Sequence, residues 1–195
     1  MFQGIIHHCA KVFSFDKKNN IKVLVLEFPE DFNVSNVKLG DSIAIDGCCL
    51  TVAKIDGSRL SFDLLDETLR ATNFQYLNEG GFVNVERACR LSDAVNGHIL
   101  SGHVDSFVSF IKADGEDHWF KLNDIIKPYI VKKGSVSING VSLTVGEVLD
   151  DMFCVYLIPK TLELTNLSFL NQCKYVNIEI DMLARYCMNF INNLK

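Results

Sequence analysis

The chain is a series of short apolar runs, rich in Val, Ile and Phe and separated by Gly, Asn and Asp, which is typical of β-strands. Six runs precede residue 89: QGIIHHCAKVFSF, IKVLVLEF, SIAIDG, CCLTVAKI, RLSFDLL and FVNVERA. Six more follow residue 100: SGHVDSFVSFI, HWFKL, SVSING, VSLTVGEV, MFCVYLI and YVNIEID. Between the fifth and sixth run of each set, DETLRATNF and PKTLELTNL predict a helical segment, and Pro159 suits a helix start.

The second set of runs is a copy of the first. Residues 47–86 recur at 140–179 without an insertion, and fourteen of the forty pairs are identical. Chance would give roughly two or three. Six short strands per copy predict a small closed β-barrel, because closure removes exposed strand edges. Residues 89–100 lie outside the repeat, and we expect one barrel domain at 1–97 and a homologous one at 98–181.

The tail 182–195 also lies outside the repeat and predicts a helix. Leu183, Cys187, Phe190 and Leu194 follow a 4-3-4 spacing, which places them on one narrow apolar seam. The helix either caps the second barrel or joins symmetry mates into a cyclic homo-oligomer.

Composition excludes several classes of partner. The net charge is -5 and the basic residues are scattered, which argues against a nucleic-acid groove or a membrane-binding face. The N-terminus lacks the pattern of a signal peptide and no stretch of eighteen apolar residues occurs, so a cytoplasmic protein is expected. The seven cysteines include no CxxC pair, and the apolar settings of Cys48, Cys49 and Cys154 predict reduced thiols and no structural zinc.

Candidate chemistry lies where GCCLTV in the first copy matches GVSLTV in the second. Positions two apart on a strand face the same way, so Cys49 lies beside Thr51, and Ser142 beside Thr144. Such pairs can hydrogen-bond the edge of a flat heterocycle whose ring packs on aliphatic neighbours. The alternative is that these small residues fill a tapered barrel interior.

Two further candidates occur only in the second copy. QGII at the first module's start matches SGHV at the second's, where His103 is a candidate general acid or base or a partly exposed structural residue. Asp181 occupies the place of Ala88, and it is either a functional acid or a cap of the following helix. The other histidines have no twin and are expected at the surface: His7, His8, His98 and His118. P-loop, Rossmann, α/β-hydrolase and zincin motifs are absent.

Taken in order, the motifs MFQGII, GCCLTV, VNVERA, NGHILSGHVD, INGVSLTVGEV, LIPKTLELTNL and VNIEID resemble the trimeric riboflavin synthase family over essentially the whole chain. The resemblance implies two six-stranded Greek-key barrels and a C-terminal helix that joins three subunits. It implies conversion of two 6,7-dimethyl-8-ribityllumazine molecules into riboflavin and 5-amino-6-ribitylaminopyrimidinedione by four-carbon transfer, without an added cofactor. The working site would join the first barrel of one subunit to the second barrel of its neighbour. Lumazine synthase is a further candidate partner.

The resemblance also implies site residues. Catalytic roles fall on His103, Ser142, Thr144, Cys49 and Asp181. A first pocket would comprise Gly4, Ile5, Ile6, Cys49, Leu50, Thr51, Asp63, Leu64, Leu65, Asp66, Glu67, Thr68, Gly102, His103 and Val104. A second would comprise Lys133, Ser142, Leu143, Thr144, Leu157, Ile158, Pro159, Lys160, Thr161 and Leu162.

The family's MFTGI has Thr where this chain has Gln3, so we expect the fine contacts of the N-terminal segment to differ from the family pattern. Two other functions stay open at this point. One is a non-catalytic antenna that binds lumazine or flavin on the same fold, and the other is a structural trimer with empty barrels. Intact polar motifs in both copies favour the enzyme.

Overall fold

A computed structural model describes residues 1–18 and 21–194 and shows two closed antiparallel β-barrels. The first contains β1 (His8–Lys18), β2 (Ile21–Glu27), β3 (Ser42–Ile45), β4 (Cys48–Asp56), β5 (Arg59–Leu64) and β6 (Phe82–Arg87). The second contains β7 (Ser106–Asp114), β8 (Asp117–Lys121), β9 (Ser135–Ile138), β10 (Val141–Val148), β11 (Met152–Tyr156) and β12 (Tyr175–Ile180). Both follow one order, β1-β2-β5-β4-β3-β6 and β7-β8-β11-β10-β9-β12. The predicted all-β fold of two tandem six-stranded barrels is confirmed.

Helical structure lies between the strands and at the C-terminus. The α-helices are α1 (Asp66–Ala71), α2 (Pro159–Leu164) and α3 (Met182–Asn193). Short 3₁₀ turns occur at Glu30–Phe32, Val34–Asn36, Asn73–Tyr76, Lys127–Tyr129 and Asn166–Phe169. The helices α1 and α2 lie where the sequence predicts them, between the fifth and sixth strands of each barrel, with Pro159 in the first turn of α2.

Each barrel encloses an apolar core of its own. Leu24 and Phe62 are fully buried in the first barrel, and Phe120 and Ile138 are fully buried in the second. Complete burial of a side chain of this size contributes roughly 1.5–3 kcal/mol relative to exposure. The two cores therefore account for the period-two pattern of apolar residues along the strands.

The leading segments of the two modules depart from the sequence prediction. The first strand of each barrel starts later than predicted, at His8 and Ser106, and Phe2 pairs with Leu100 in an isolated antiparallel bridge. Both segments cross to the opposite barrel: Ile6 packs in the core cluster of the second barrel, and Val104 packs against that of the first. Each leading segment therefore packs on the barrel of the other module, and not on the barrel that follows it in the sequence.

The modules meet closely at two β-hairpin turns. Asp46 and Gly47 link β3 to β4, Asn139 and Gly140 link β9 to β10, and all four residues have positive φ between 43° and 80°. A Cβ atom on Gly47 would lie 2.7 Å from the backbone N of Gly140, and one on Gly140 would lie 2.8 Å from that of Gly47. Glycine is required at both positions by backbone conformation and by close approach.

Helix α3 leaves most of its apolar seam exposed. Leu183, Phe190 and Leu194 are 74%, 66% and 72% exposed. The helix packs against the Lys127–Tyr129 turn of the second barrel, and Arg185 donates a hydrogen bond of 3.0 Å to Asp105 at the start of that module. The helix is confirmed and is attached to the second barrel, but that attachment leaves the seam uncovered. In the described part of the chain no helix is long and apolar enough to span a membrane.

Candidate active site

The two predicted polar pairs lie on the outside of the barrels. Burial alternates along β4 and β10, so that Cys49 and Ser142 are half-buried and Thr51 and Thr144 are exposed, while their apolar neighbours point inward. The alternative that these small residues fill the barrel interior is therefore wrong. A ligand that contacts these pairs would bind against the outer wall of a barrel.

The segment Gly4–Ile6 covers the outer wall of the second barrel at Ser142. The backbone N of Ser142 donates a hydrogen bond of 2.8 Å to the carbonyl of Gly4, whose φ is 75°. A Cβ on Gly4 would lie 2.6 Å from the Cβ of Ser142, so the close approach requires glycine. A cavity of about 170 Å³ lies here and is lined by Gly4, Ile5, Ile6, Val141, Ser142, Ile158, Lys160, Thr161, Leu164 and Thr165. We call this arrangement the second cradle.

The segment Gly102–Val104 repeats this arrangement on the first barrel, and we call it the first cradle. The backbone N of Cys49 donates a hydrogen bond of 2.8 Å to the carbonyl of Gly102, whose φ is 82°. A Cβ on Gly102 would lie 2.5 Å from the Cβ of Cys49. The prediction that groups Gly4–Ile6 with the first pocket is therefore wrong. That segment lies on the second barrel, because the leading segments cross over.

Two carboxylates, the half-buried Glu86 and the buried Glu179, hold these crossing segments in place. Glu86 accepts hydrogen bonds from the backbone N atoms of Gln3 and Gly4, at 2.8 and 3.0 Å. Glu179 accepts the matching bonds from Ser101 and Gly102, at 2.7 and 3.0 Å. Desolvation by burial raises the pKa of both carboxyl groups. These glutamates are not among the predicted site residues, although their identity at matched positions of the repeat is a usable signal.

A histidine outside the repeat faces the second cradle. The Nδ1 atom of His98 lies 2.6 Å from the Oγ atom of Ser142, and the Nε2 atom of His98 is buried without a hydrogen-bond partner in the described chain. Burial lowers the pKa of His98, while the charge of Asp181 acts in the opposite direction. A neutral imidazole beside a hydroxyl is suited to accept its proton. The structure thus pairs Ser142 with His98, not with His103.

The placement of His98 corrects an expectation from the sequence. His8 and His98 are half-buried and His118 is buried, so the surface positions expected for these three histidines are wrong, whereas His7 is exposed. No signal in the repeat could identify His98, because the linker has no counterpart in the other module. The adjacent Gly97 explains the approach, since a Cβ there would lie 2.1 Å from the carbonyl oxygen of Gln3.

The remaining catalytic candidates have different settings. His103 is exposed, and its backbone N donates a hydrogen bond of 3.2 Å to the Ser101 hydroxyl in the first cradle. Asp181 caps α3, accepting a bond of 2.9 Å from the backbone N of Leu183. Its charge also reaches His98, so capping and an electrostatic role coexist in Asp181.

The predicted binding residues divide into two groups by burial. Four leucines are buried, so their side chains belong to the barrel wall: Leu50, Leu64, Leu143 and Leu157. The exposed or half-buried remainder lies on strand ends, on the first turns of α1 and α2 or, for the positive-φ residue Lys133, before β9: Asp63, Leu65, Asp66, Glu67, Thr68, Lys133, Ile158, Pro159, Lys160, Thr161 and Leu162. Each group is present in both modules.

Known proteins resemble this chain over nearly its full length. The sequence profile described as the lumazine binding domain matches residues 3–88 and 101–181. The riboflavin synthase of Escherichia coli K12 is 46% identical over 186 residues, covering 93% of this chain and 87% of the relative. That of Buchnera aphidicola subsp. Schizaphis graminum is 37% identical over 199 residues, covering 100% and 95%. Crystal structures of LumP complexed with riboflavin and with 6,7-dimethyl-8-(1'-D-ribityl)lumazine superpose with TM-scores of 0.82 and 0.81 at 27% and 26% identity; each covers 92% of this chain and 99% of LumP.

Proposed function

Because the chain belongs to the riboflavin synthase family, whose two modules are lumazine-binding domains, we propose that it is a transferase that makes riboflavin. Two molecules of 6,7-dimethyl-8-ribityllumazine enter. One gives a four-carbon unit and leaves as 5-amino-6-ribitylaminopyrimidinedione, and the other receives it and leaves as riboflavin. The reaction takes no added cofactor. The location proposed for the enzyme is the cytoplasm, where the association with lumazine synthase would take place.

The observation that carries the proposal is the pair of cradles. On each barrel a glycine carbonyl accepts a hydrogen bond of 2.8 Å from the backbone N of the first residue of the polar pair, Ser142 in one and Cys49 in the other. A reaction between two copies of one substrate needs two similar sites with unlike chemistry. Holding both rings at reacting distance can lower the barrier by about 7 kcal/mol or more.

The chemistry assigned to the second cradle is proton transfer. The methyl group at C7 of the lumazine is acidic because its carbanion delocalises into the ring. His98, kept neutral by burial, accepts a proton through the Ser142 hydroxyl at 2.6 Å, and Thr144 binds the substrate beside it. Asp181 stabilises the imidazolium that this transfer creates.

The first cradle takes the second lumazine. Cys49 binds or activates the nucleophile that attacks C7 of this molecule, and Thr51 faces the same side of β4. His103, exposed at the cradle's edge, serves as its acid or base. The asymmetry between a thiol and a hydroxyl at matched positions separates acceptor from donor.

The proposed assembly is a homotrimer in which the first cradle of one subunit faces the second cradle of its neighbour. The exposed seam of α3 supports it, since Leu183, Phe190 and Leu194 together present an apolar stripe that association would cover. Deletion of residues 183–195 should give monomers with little activity, measured by sedimentation and turnover. An active trimer after this truncation would refute the role of the helix.

The activity is tested by incubating the purified protein with 6,7-dimethyl-8-ribityllumazine and following riboflavin absorbance. Riboflavin should form without an added cofactor. Binding of the lumazine without turnover would favour the alternative of a non-catalytic antenna.

The shared site is tested by mixing two blocked variants. Cys49→Phe fills the first cradle and Ser142→Phe fills the second, so each trimer alone should be inactive. Subunits exchanged between the two trimers would contain some sites with both cradles intact, and activity should return. Mixing two preparations of Ser142→Phe is the control. A site built within one subunit predicts no recovery in either mixture.

A further inference from the structure

The two barrels are joined by a ring of buried polar side chains around their approximate two-fold axis. The members are matched across the repeat and each is at least nine-tenths buried: Asp46 with Asn139, Asn73 with Asn166, and Asn84 with Asn177. Five of these six residues are asparagines, and only Asp46 breaks the pattern. A buried polar network stabilises a structure only when each member has its hydrogen-bond partner.

Most hydrogen bonds of the ring occur in equivalent pairs. The side-chain Nδ2 of Asn84 donates to the carbonyl of Asn139 at 2.8 Å, and that of Asn177 donates to the carbonyl of Asp46 at 2.9 Å. The backbone N of Asn84 donates to Asp46 Oδ1, and that of Asn177 donates to Asn139 Oδ1, both at 2.7 Å. Each turn is thus held by both modules.

One bond of the ring has no counterpart. Asn139 Nδ2 donates to Asn166 Oδ1 at 3.2 Å. At the matched place in the other half, Asn73 Oδ1 is buried without a partner in the described chain. The Asp46 carboxylate accepts two hydrogen bonds there, from the backbone N of Asn84 and from Nδ2 of Asn166, and both end on Oδ1. Its Oδ2 therefore corresponds to the amide nitrogen of Asn139 in the other half. By this correspondence Oδ2 is directed at Asn73 Oδ1, and two such oxygens can bond only if one carries a proton.

The surroundings disfavour a charge on Asp46. Burial raises the pKa of this carboxyl to about 7. In the described part of the chain, the only cation among the titratable groups around it is the ammonium of Lys174, which lines the same cavity of about 240 Å³. These groups are Cys9, Cys48, Tyr76, Cys173, Lys174 and Tyr175. Burial raises the pKa of the Cys9 and Cys48 thiols to about 12, so these thiols are neutral and do not compensate a buried carboxylate.

We propose that Asp46 carries a proton in the folded protein and donates it from Oδ2 to Asn73 Oδ1, which makes the docking of the two barrels proton-dependent. The folded state then binds one proton more than the unfolded state between the ordinary pKa of an aspartate and the raised one. Stability from this bond is fully present below about pH 4 and is lost as the pH rises through about 7.

The test compares Asp46→Asn with the wild-type protein in urea unfolding at matched protein concentration between about pH 5 and pH 8. The new amide can donate to Asn73 Oδ1 without a titrating proton. The unfolding constant of the wild type relative to that of the variant should therefore rise about tenfold per pH unit up to about pH 7. Other titrating carboxyl groups are common to both proteins and cancel in this ratio. A ratio that does not change with pH would overturn the proposal. That result would mean that Asp46 is ionised in the folded protein and held by a water or a cation.

A double variant and a spectrum make the test specific. Asp46→Asn with Asn139→Asp moves the acid to the matched turn, where Asn166 Oδ1 can accept its proton, and the pH dependence should return. A purely structural need for an amide at position 139 predicts a large loss of stability with no pH dependence. Infrared difference spectra should show a protonated carboxylic acid at pH 6 that is absent in Asp46→Asn; absence of the band in the wild type would contradict the assignment.

Discussion

At the second cradle a hydroxyl faces an imidazole, whereas at the same place in the first cradle a thiol has no such partner. Ser142 Oγ lies 2.6 Å from His98, while no hydrogen bond of the described chain reaches the thiol of Cys49. The two cradles have the same backbone hydrogen bond, from Cys49 N or Ser142 N to a glycine carbonyl, and its length is 2.8 Å in both. The repeat therefore supplies two cradles with the same backbone geometry, and His98 from the linker adds an acid-base partner to one of them. Duplication gives similar binding, and the unmatched residues give unlike roles.

The largest effect is expected at the two β-hairpin turns, where the modules touch. Gly47→Ala should reduce the free energy of unfolding by about 3 kcal/mol or more, because the left-handed backbone strains alanine and the new Cβ meets the backbone of Gly140. Gly57→Ala is the matched control, since its φ is 60° and nothing lies within 4 Å of its added Cβ. That control should lose about 1 kcal/mol. Equal losses in urea unfolding would show that the contact between the turns is unimportant.

The next effect concerns the chemical difference between the cradles. Ser142→Ala should lower kcat about 100-fold, because it removes the hydroxyl that His98 contacts. Cys49→Ala should lower kcat about tenfold, since no hydrogen bond of the described chain joins its thiol to an imidazole. Both are read from riboflavin formation, with lumazine binding measured separately. If the two losses are equal, the asymmetry we assign to His98 does not exist.

The smallest effect is a shift in the pH profile. Asp181→Asn keeps a helix-capping side chain and removes the charge that raises the pKa of His98. The pKa of His98 should fall further below its ordinary value, so the acidic limb of kcat/KM should move to lower pH by less than about one unit. Helix content, followed by circular dichroism, should not change. An acidic limb that does not move would show that the charge of Asp181 does not act on the pKa of His98.

Much of the fold follows from local pattern. Period-two alternation locates the strands, because a strand with one buried face must place apolar side chains on alternate residues. The repeat without insertions predicts two barrels of one topology, and both are found. The residue types of the cradles, a thiol or hydroxyl two positions before a threonine, are also visible in the sequence.

The site itself was only partly predictable. Periodicity cannot tell which barrel a leading segment covers, and Ile6 and Val104 lie on the opposite barrels from their own modules. His98 lies in a linker without a twin, so its contact with Ser142 has no signature in the repeat. Glu86 and Glu179 were visible as identical twins, but their function in holding the crossing segments depends on backbone N atoms far away in the sequence.

By itself, the sequence determined the strands, the duplication and the side chains available to each module, since these depend on short-range periodicity and residue identity. Only the tertiary structure decided the crossing of the segments, the pairing of Ser142 with His98 and the burial of Asp46 opposite Asn73. Those features depend on contacts between residues distant in the chain. Desolvation and hydrogen bonding then set the chemistry of each group, and neither can be read from a residue type alone.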